Sequence, residues 1–167
     1  HFCKPEHYRL WLTRPEVQED IQRLNQSLVA SDAFSRCVLD SVPARIAVLD
    51  RSSCIVAVNQ PWKQAAIDND SPAGMAVART GVGVNYLEVC RKGLTTVVDA
   101  HAQQAIDGIE AVLAGRLPHF SMEYPCHIVG GSDWYDMSVR PLGGDIQGVV
   151  ISHTDISERK RADLALE

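Results

Sequence analysis

Between His119 and Thr154 three runs of residues succeed one another, each alternating apolar and polar, with paired glycines between them. Phe120, Met122 and Tyr124 alternate with Ser121 and Glu123, the period-two pattern of a strand with one solvated face. Gly130-Gly131 marks a turn into a fourth strand, Trp134 to Leu142, and Gly143-Gly144 a turn into a fifth, Ile146 to about Thr154. Strands joined by turns this short pair antiparallel with their neighbours, so this third of the chain is confined to a meandering sheet. After Asp155-Ile156-Ser157 the character changes to helical, with Glu158-Arg159-Lys160 leading into Arg161-Ala162-Asp163-Leu164. A last strand that feeds directly into a helix is placed to pass a mechanical change onward.

The preceding segments complete the order of elements. Ala44–Asp50 reads as a strand, Arg51-Ser52-Ser53 as a turn and Cys54–Asn59 as a second strand, together a hairpin. Pro61-Trp62 opens a helical stretch to about Asp68, and Asn85–Cys90 is a short helix. A longer helix runs from about Thr96 to Ala114, with Thr96 and Asp99 spaced as a capping arrangement. Ala102, Ala105, Ile106, Ile109, Val112 and Leu113 form its apolar stripe, opposed by Gln103, Gln104, Asp107 and Glu110. Gly115 stops it.

Residues 1–15 read as an irregular linker, 16–39 as a linker helix, 40–157 as the compact domain and 158–167 as the start of an output helix. In the first helix Val17, Ile21, Leu24 and Leu28 are spaced four, three and four apart, a heptad seam suited to pairing with a second copy. The chain begins at His1 and ends in a helix-like run, so a longer parent protein is expected. The net charge of −5 speaks against a nucleic-acid partner. No apolar run reaches the ~18–20 residues that cross a bilayer, which points to a cytoplasmic domain, although an anchor elsewhere in the parent stays compatible. The five cysteines, Cys3, Cys37, Cys54, Cys90 and Cys126, are scattered without a C-x-x-C pair, and reduced, mostly buried thiols are expected.

This order of elements, with its closing Asp155-Ile156-Ser157, resembles a PAS sensory domain of a bacterial signalling protein over about residues 34–160. Such domains commonly end in Asp-Ile-Thr, so Ser157 stands in place of the commoner Thr. The resemblance implies an α+β fold: a PAS-like five-stranded antiparallel sheet with flanking helices, preceded here by the N-terminal amphipathic helix. It also implies a pocket between the sheet and the long helix, with Tyr86, Ile106, Ile109, Leu113, Met122, Tyr124, Met137 and Ile151 as its expected lining.

Cofactors are tested residue by residue. A light-sensing flavin domain of the light-oxygen-voltage type needs a Cys directly after the Asn of its short helix, and here Tyr86 comes after Asn85. A haem-binding relative needs a His facing the core, and His101 falls on the polar flank of its helix. Flavin and haem are both disfavoured. Tyr124-Pro125-Cys126-His127 is unusual, but adjacent strand residues point to opposite faces, so Cys126 and His127 are poorly placed to pair as thiolate and imidazolium. No hydrolase, phosphate-loop or metalloprotease motif is present, and an enzyme with a Cys126 nucleophile is the weakest reading. The resemblance implies a non-catalytic sensor that binds a small molecule or answers a cue. It would act as a homodimer, relaying the signal through Asp155, Ile156 and Ser157 to a C-terminal effector in the same chain, such as a histidine kinase or diguanylate cyclase. The alternative is a ligand-free PAS spacer used for dimerisation alone.

Overall fold

Pro15 presets the first turn of a helix, and the residues after it contain no glycine or further proline, so helix α1 runs unbroken over Pro15–Ser41. The computed structural model of the chain describes residues 12–68, 81–94, 100–128 and 131–165. These fall into two units, His1–Val38 and Leu39–Glu167. In the first, α1 buries none of its side chains; Ile21, Leu24 and Leu28 are exposed, Leu24 by 65% and Leu28 by 68%.

Among the described residues the second unit holds a single sheet. Its strands are β1 (Arg45–Asp50), β2 (Ile55–Val58), β3 (Phe120–Ile128), β4 (Gly131–Pro141) and β5 (Gly148–Asp155), in spatial order β2-β1-β5-β4-β3. All four pairings are antiparallel. Helices α2 (Gln60–Asp68), α3 (Tyr86–Leu94) and α4 (Ala100–Leu113) lie between the second and third strands in sequence, and α5 (Ser157–Leu164) comes after the last. The α+β architecture implied by the resemblance, a five-stranded antiparallel sheet with flanking helices, is the one observed. The expected helix start at Thr96 and the turn at Gly130 lie outside the described residues.

Local chemistry explains each corner. In the β1–β2 turn the Asp50 carboxylate accepts the N–H groups of Ser52 at 2.8 Å and Cys54 at 2.9 Å, while Ser53 takes a positive φ of 65°. Asn85 caps α3 by accepting the Glu88 N–H at 3.0 Å, and its amide donates to the Ser52 carbonyl at 2.8 Å. The fifth strand begins at Gly148 rather than Ile146, which is exposed in the preceding turn. Gly148 packs so closely on the Leu49 carbonyl that a Cβ there would collide with it, so close approach of two backbones, rather than apolar character, sets where pairing starts. Gly108 of α4 makes a similar approach to the Phe120 ring.

The core fills the space between the inner sheet face and the helices. Ala47 and Leu49 of β1, Val149 and Ile151 of β5, and Met137 and Val139 of β4 meet Ile106, Ile109 and Val112 of α4. One polar side chain stands inside this unit with every hydrogen-bonding atom engaged. The Asn59 Oδ1 accepts the Ile46 N–H at 2.8 Å and the Trp62 N–H at 3.2 Å. Its Nδ2 donates to the carbonyls of Ala44 at 2.8 Å, Leu39 at 3.1 Å and Val42 at 3.3 Å. Asn59 is 0% exposed and its bonds to the Ile46 and Trp62 N–H groups are buried, so its amide and these donors have no water to fall back on. Replacing Asn59 by Ala strands several of them at once, and a loss of about 2–4 kcal/mol is expected. Urea unfolding checks it: the midpoint should fall with an unchanged slope.

Candidate functional site

Alternation along the strands gives the inner sheet face two different ends. Toward one end it is apolar, with Leu49, Val149 and Val139. Toward the other the same parity brings up Arg45 on β1, His153 on β5, Tyr135 on β4, and Tyr124 and Cys126 on β3. The register places Arg45 opposite His153, His153 opposite Met137 and Tyr135 opposite Tyr124.

His153 is the centre of this polar end. It is 2% exposed, and its Nδ1 lies 2.8 Å from the Tyr124 hydroxyl. The Trp62 ring lies 5.8 Å from the imidazole and 5.9 Å from the Tyr86 ring. Tyr124 meets His153 edge-on and stacks on Tyr135, with centroids 5.9 Å apart in both pairs. Arg45 lies over the Tyr135 ring at 4.7 Å and donates to its hydroxyl at 3.0 Å. Among the described residues two buried side-chain atoms stand without a hydrogen-bond partner, the Tyr86 hydroxyl and His153 Nε2.

Burial dominates the electrostatics. Desolvation, reinforced by the Arg45 charge, lowers the His153 pKa to about 4, so the ring is neutral at physiological pH. Burial likewise raises the Tyr124 and Tyr86 hydroxyls, and it pushes the Cys90 thiol up to about 11. Tyr86 and Cys90 are close enough to influence each other's titration, but their geometry falls short of a hydrogen bond. Cys126 is half-buried, and burial raises its pKa against the opposing pull of Arg45. That direction disfavours a nucleophilic thiolate.

The residues expected to line a pocket all belong to one packed cluster, seven of them buried and Leu113 at its margin. His101 is exposed on α4. The expectation of mostly buried cysteines needs correction: among the described residues only Cys90 is buried, Cys37 is exposed, and Cys54 and Cys126 are intermediate. The apolar character of the Cys37 neighbourhood comes from a helix that buries nothing. No cluster of metal-ligating side chains occurs among the described residues. Sequence reasoning did not bring Arg45, Asn59, Trp62, Tyr135 or His153 into the site. The period-two run Val149, Ile151, His153 was the signal that could have found the last.

The strand-to-helix junction is a second constellation. Asp155 Oδ1 accepts the Ser157 N–H at 2.9 Å, and hydrogen bonding to Ser157 is the main cause of its lowered pKa. Ser157 Oγ accepts the Trp134 N–H at 3.0 Å, while the Ile156 N–H donates to the Trp134 carbonyl at 2.8 Å. Farther along α5, Lys160 and Arg159 reach Glu123 of β3 at 2.5 and 2.6 Å, and Lys160 sits 4.8 Å from the Trp134 ring centroid. Both strands of the β3–β4 hairpin therefore hold the start of α5.

Residues 39–161 match the PAS fold family. The chain belongs to this family. A relative from Rhodobacter capsulatus, described as an uncharacterized 104.1 kDa protein in the hypE 3' region, is 40% identical over 122 residues, 73% of this chain. The chain spans 12% of that relative's length. Among solved structures, the PAS domain from Bordetella pertussis BvgS superposes with a TM-score of 0.54 at 17% identity, covering 82% of this chain and 94% of the other. An RNA-binding light-oxygen-voltage receptor gives a TM-score of 0.51 at 18% identity, covering 82% of this chain and 35% of the other. At such identities the structural likeness speaks for the fold alone. Family membership makes the chain a sensory or signalling module, of a kind that commonly mediates protein interaction.

The buried imidazole gives this PAS domain a pH signature. The unfolded ring titrates near 6.5 and the folded one near 4, so between these values the unfolded state binds more protons. Stability is fully present above pH 6.5 and falls as pH drops toward 4, by about 3 kcal/mol over the whole interval. Denaturation measured from pH 7 to 4.5 should show this slope, and His153→Leu should flatten it.

Proposed function

We propose that this PAS domain is the sensory and dimerisation module of a bacterial signalling protein. It binds a small molecule or answers another cue at the inner sheet face. It then relays the change through Asp155, Ile156 and Ser157 to α5 and to an effector in the same chain, of the histidine kinase or diguanylate cyclase kind. One observation carries the reading: Tyr135, in the polar end of the inner face, adjoins Trp134, whose N–H and carbonyl both bond to the first residues of the α5 junction. A shift of β4 at the site is then also a shift at the helix start.

Residues 16–39 serve as the dimerising linker helix, 40–157 as the sensor and 158–167 as the output linker. Exposure of Ile21, Leu24 and Leu28 on a helix that buries nothing supports pairing through the Val17–Leu28 seam. The pocket-lining set is Tyr86, Ile106, Ile109, Leu113, Met122, Tyr124, Met137 and Ile151. A cytoplasmic site of action agrees with the finding that no helix among the described residues is long and apolar enough to cross a membrane. The net charge supports protein rather than nucleic-acid partners. The competing reading is a ligand-free spacer, favoured by the complete burial of Tyr86, Ile109, Met137 and Ile151.

The junction is tested by Asp155→Ala, which removes the acceptor for the Ser157 N–H. Amide hydrogen exchange over Ser157–Leu164 should lose about 0.5–2 kcal/mol of protection, with the sheet unaffected. Unchanged protection removes Asp155 from the relay. For the seam, Ile21→Asp combined with Leu24→Asp should convert a dimer to monomers in sedimentation. A dimer that survives both charges is held together elsewhere.

A further inference from the structure

We infer that the polar end of the inner sheet face is a binding site for a small organic carboxylate. The inference rests on the sensory reading proposed above and gives its ligand a chemical class. Its starting point is the pair of orphaned atoms. The Tyr86 hydroxyl and His153 Nε2 lie in the core without a partner, on residues 0% and 2% exposed. A native core rarely leaves such groups unmet, because water satisfied them in the unfolded chain.

Both orphans are donors when His153 carries its proton on Nε2. With the Tyr124 phenol as donor to His153 Nδ1 across 2.8 Å, one of the two roles this contact allows, a neutral imidazole carries its proton on Nε2. The Tyr86 hydroxyl has no partner of hydrogen-bond geometry, the Cys90 thiol being its nearby polar neighbour. Both rings pack against the same face-forming Trp62, at 5.8 and 5.9 Å. Two donors around one aromatic call for an acceptor, and a carboxylate supplies two oxygens.

Arg45 decides the charge of that acceptor. It stands directly opposite His153 in the sheet register and is half-buried. Among the described residues it forms no ion pair, and its bonded partners are the Tyr135 ring and hydroxyl. Two carboxylates act on this region from the sheet. Asp155 is engaged with the Ser157 N–H, and Asp133 lies toward Cys126 and Tyr135. Neither supplies Arg45 with a bonded counter-ion, so a ligand anion is the group that completes it. A neutral carbonyl would satisfy the donors and leave the guanidinium as it is.

The whole chain, with 15N-labelled histidine, is titrated with propionate and benzoate and in parallel with propionamide and benzamide. The acids should shift the His153 Nε2 resonance saturably and raise Tm. The amides should bind about tenfold more weakly or worse, and Tyr86→Phe should weaken the acids by a similar factor. Arg45→Gln should erase the preference for acid over amide; if it does not fold, the comparison on the unmodified chain decides. Saturable binding of amides and acids alike overturns the carboxylate assignment and leaves the sensory reading standing. No saturable shift by any probe, with Tyr86→Phe raising Tm, marks a dry core. That result overturns the inference and the ligand-binding reading together, in favour of the spacer.

Discussion

Two backbone N–H groups and three backbone carbonyls converge on one carboxamide, that of Asn59. The geometry of the sensor unit depends on it. Through Asn59 the last turn of α1 and the segment after it, at Leu39, Val42 and Ala44, are fixed to the start of β1 at Ile46 and to the first turn of α2 at Trp62. Asp40 adds a second fastening by accepting the Gln60 N–H at 2.7 Å. Each bond is modest in net terms, about 1 kcal/mol, but the Ile46 and Trp62 N–H groups are buried and have no solvent as an alternative. Trp62 is thereby held at the position where it meets both Tyr86 and His153.

The exit from the unit repeats this device with different atoms. At the entrance a side-chain amide gathers backbone groups; at the exit the backbone of Trp134 bonds Ile156 and Ser157, and Glu123 gathers Arg159 and Lys160. The two clasps differ in strength. Asn59 is buried, whereas the Glu123 pairs are exposed enough for salt to screen them. In the proposed relay, a firm entrance and a soft exit let the end of the unit move while its beginning stays put.

Much of the fold was legible because the period-two alternation and the glycine turns act locally. They dictate the order of strands and helices, to which Asp155-Ile156-Ser157 adds the family resemblance. The features that escaped were set by contacts distant in sequence. Gly148 starts β5 because of the Leu49 backbone, and no local pattern reports that approach. Asn59 looks like any polar residue ending a strand, since its partners lie up to 20 positions away. Arg45 and His153 were readable in principle, because Arg45-Ala47-Leu49 and Val149-Ile151-His153 keep strict parity. Charge and polarity at inward positions argued for surface, and the sheet instead placed them on its inner face. The apolar lining residues of the expected pocket were recovered as core, while the polar groups that would give such a pocket its chemistry were not.

The contrast between satisfied and orphaned polar groups bears directly on signalling. Asn59 has every capacity filled; Tyr86 and His153 each keep one buried polar atom unmet. An unmet buried donor costs about 1–3 kcal/mol, against a total stability of about 5–15 kcal/mol for a domain. In the proposed sensor that cost is what makes the empty and occupied states differ. A ligand shifts a conformational equilibrium only through its differential affinity for the two states. His153 stands two residues before Asp155, and Tyr135, which pairs in register with Asp155, adjoins Trp134. A change that moves the imidazole or the Tyr135 ring acts on strands that lead directly into α5 or bond its first residues. The distance from site to output is then two residues along β5, short enough that rigid strand displacement suffices and no longer pathway through the core is required.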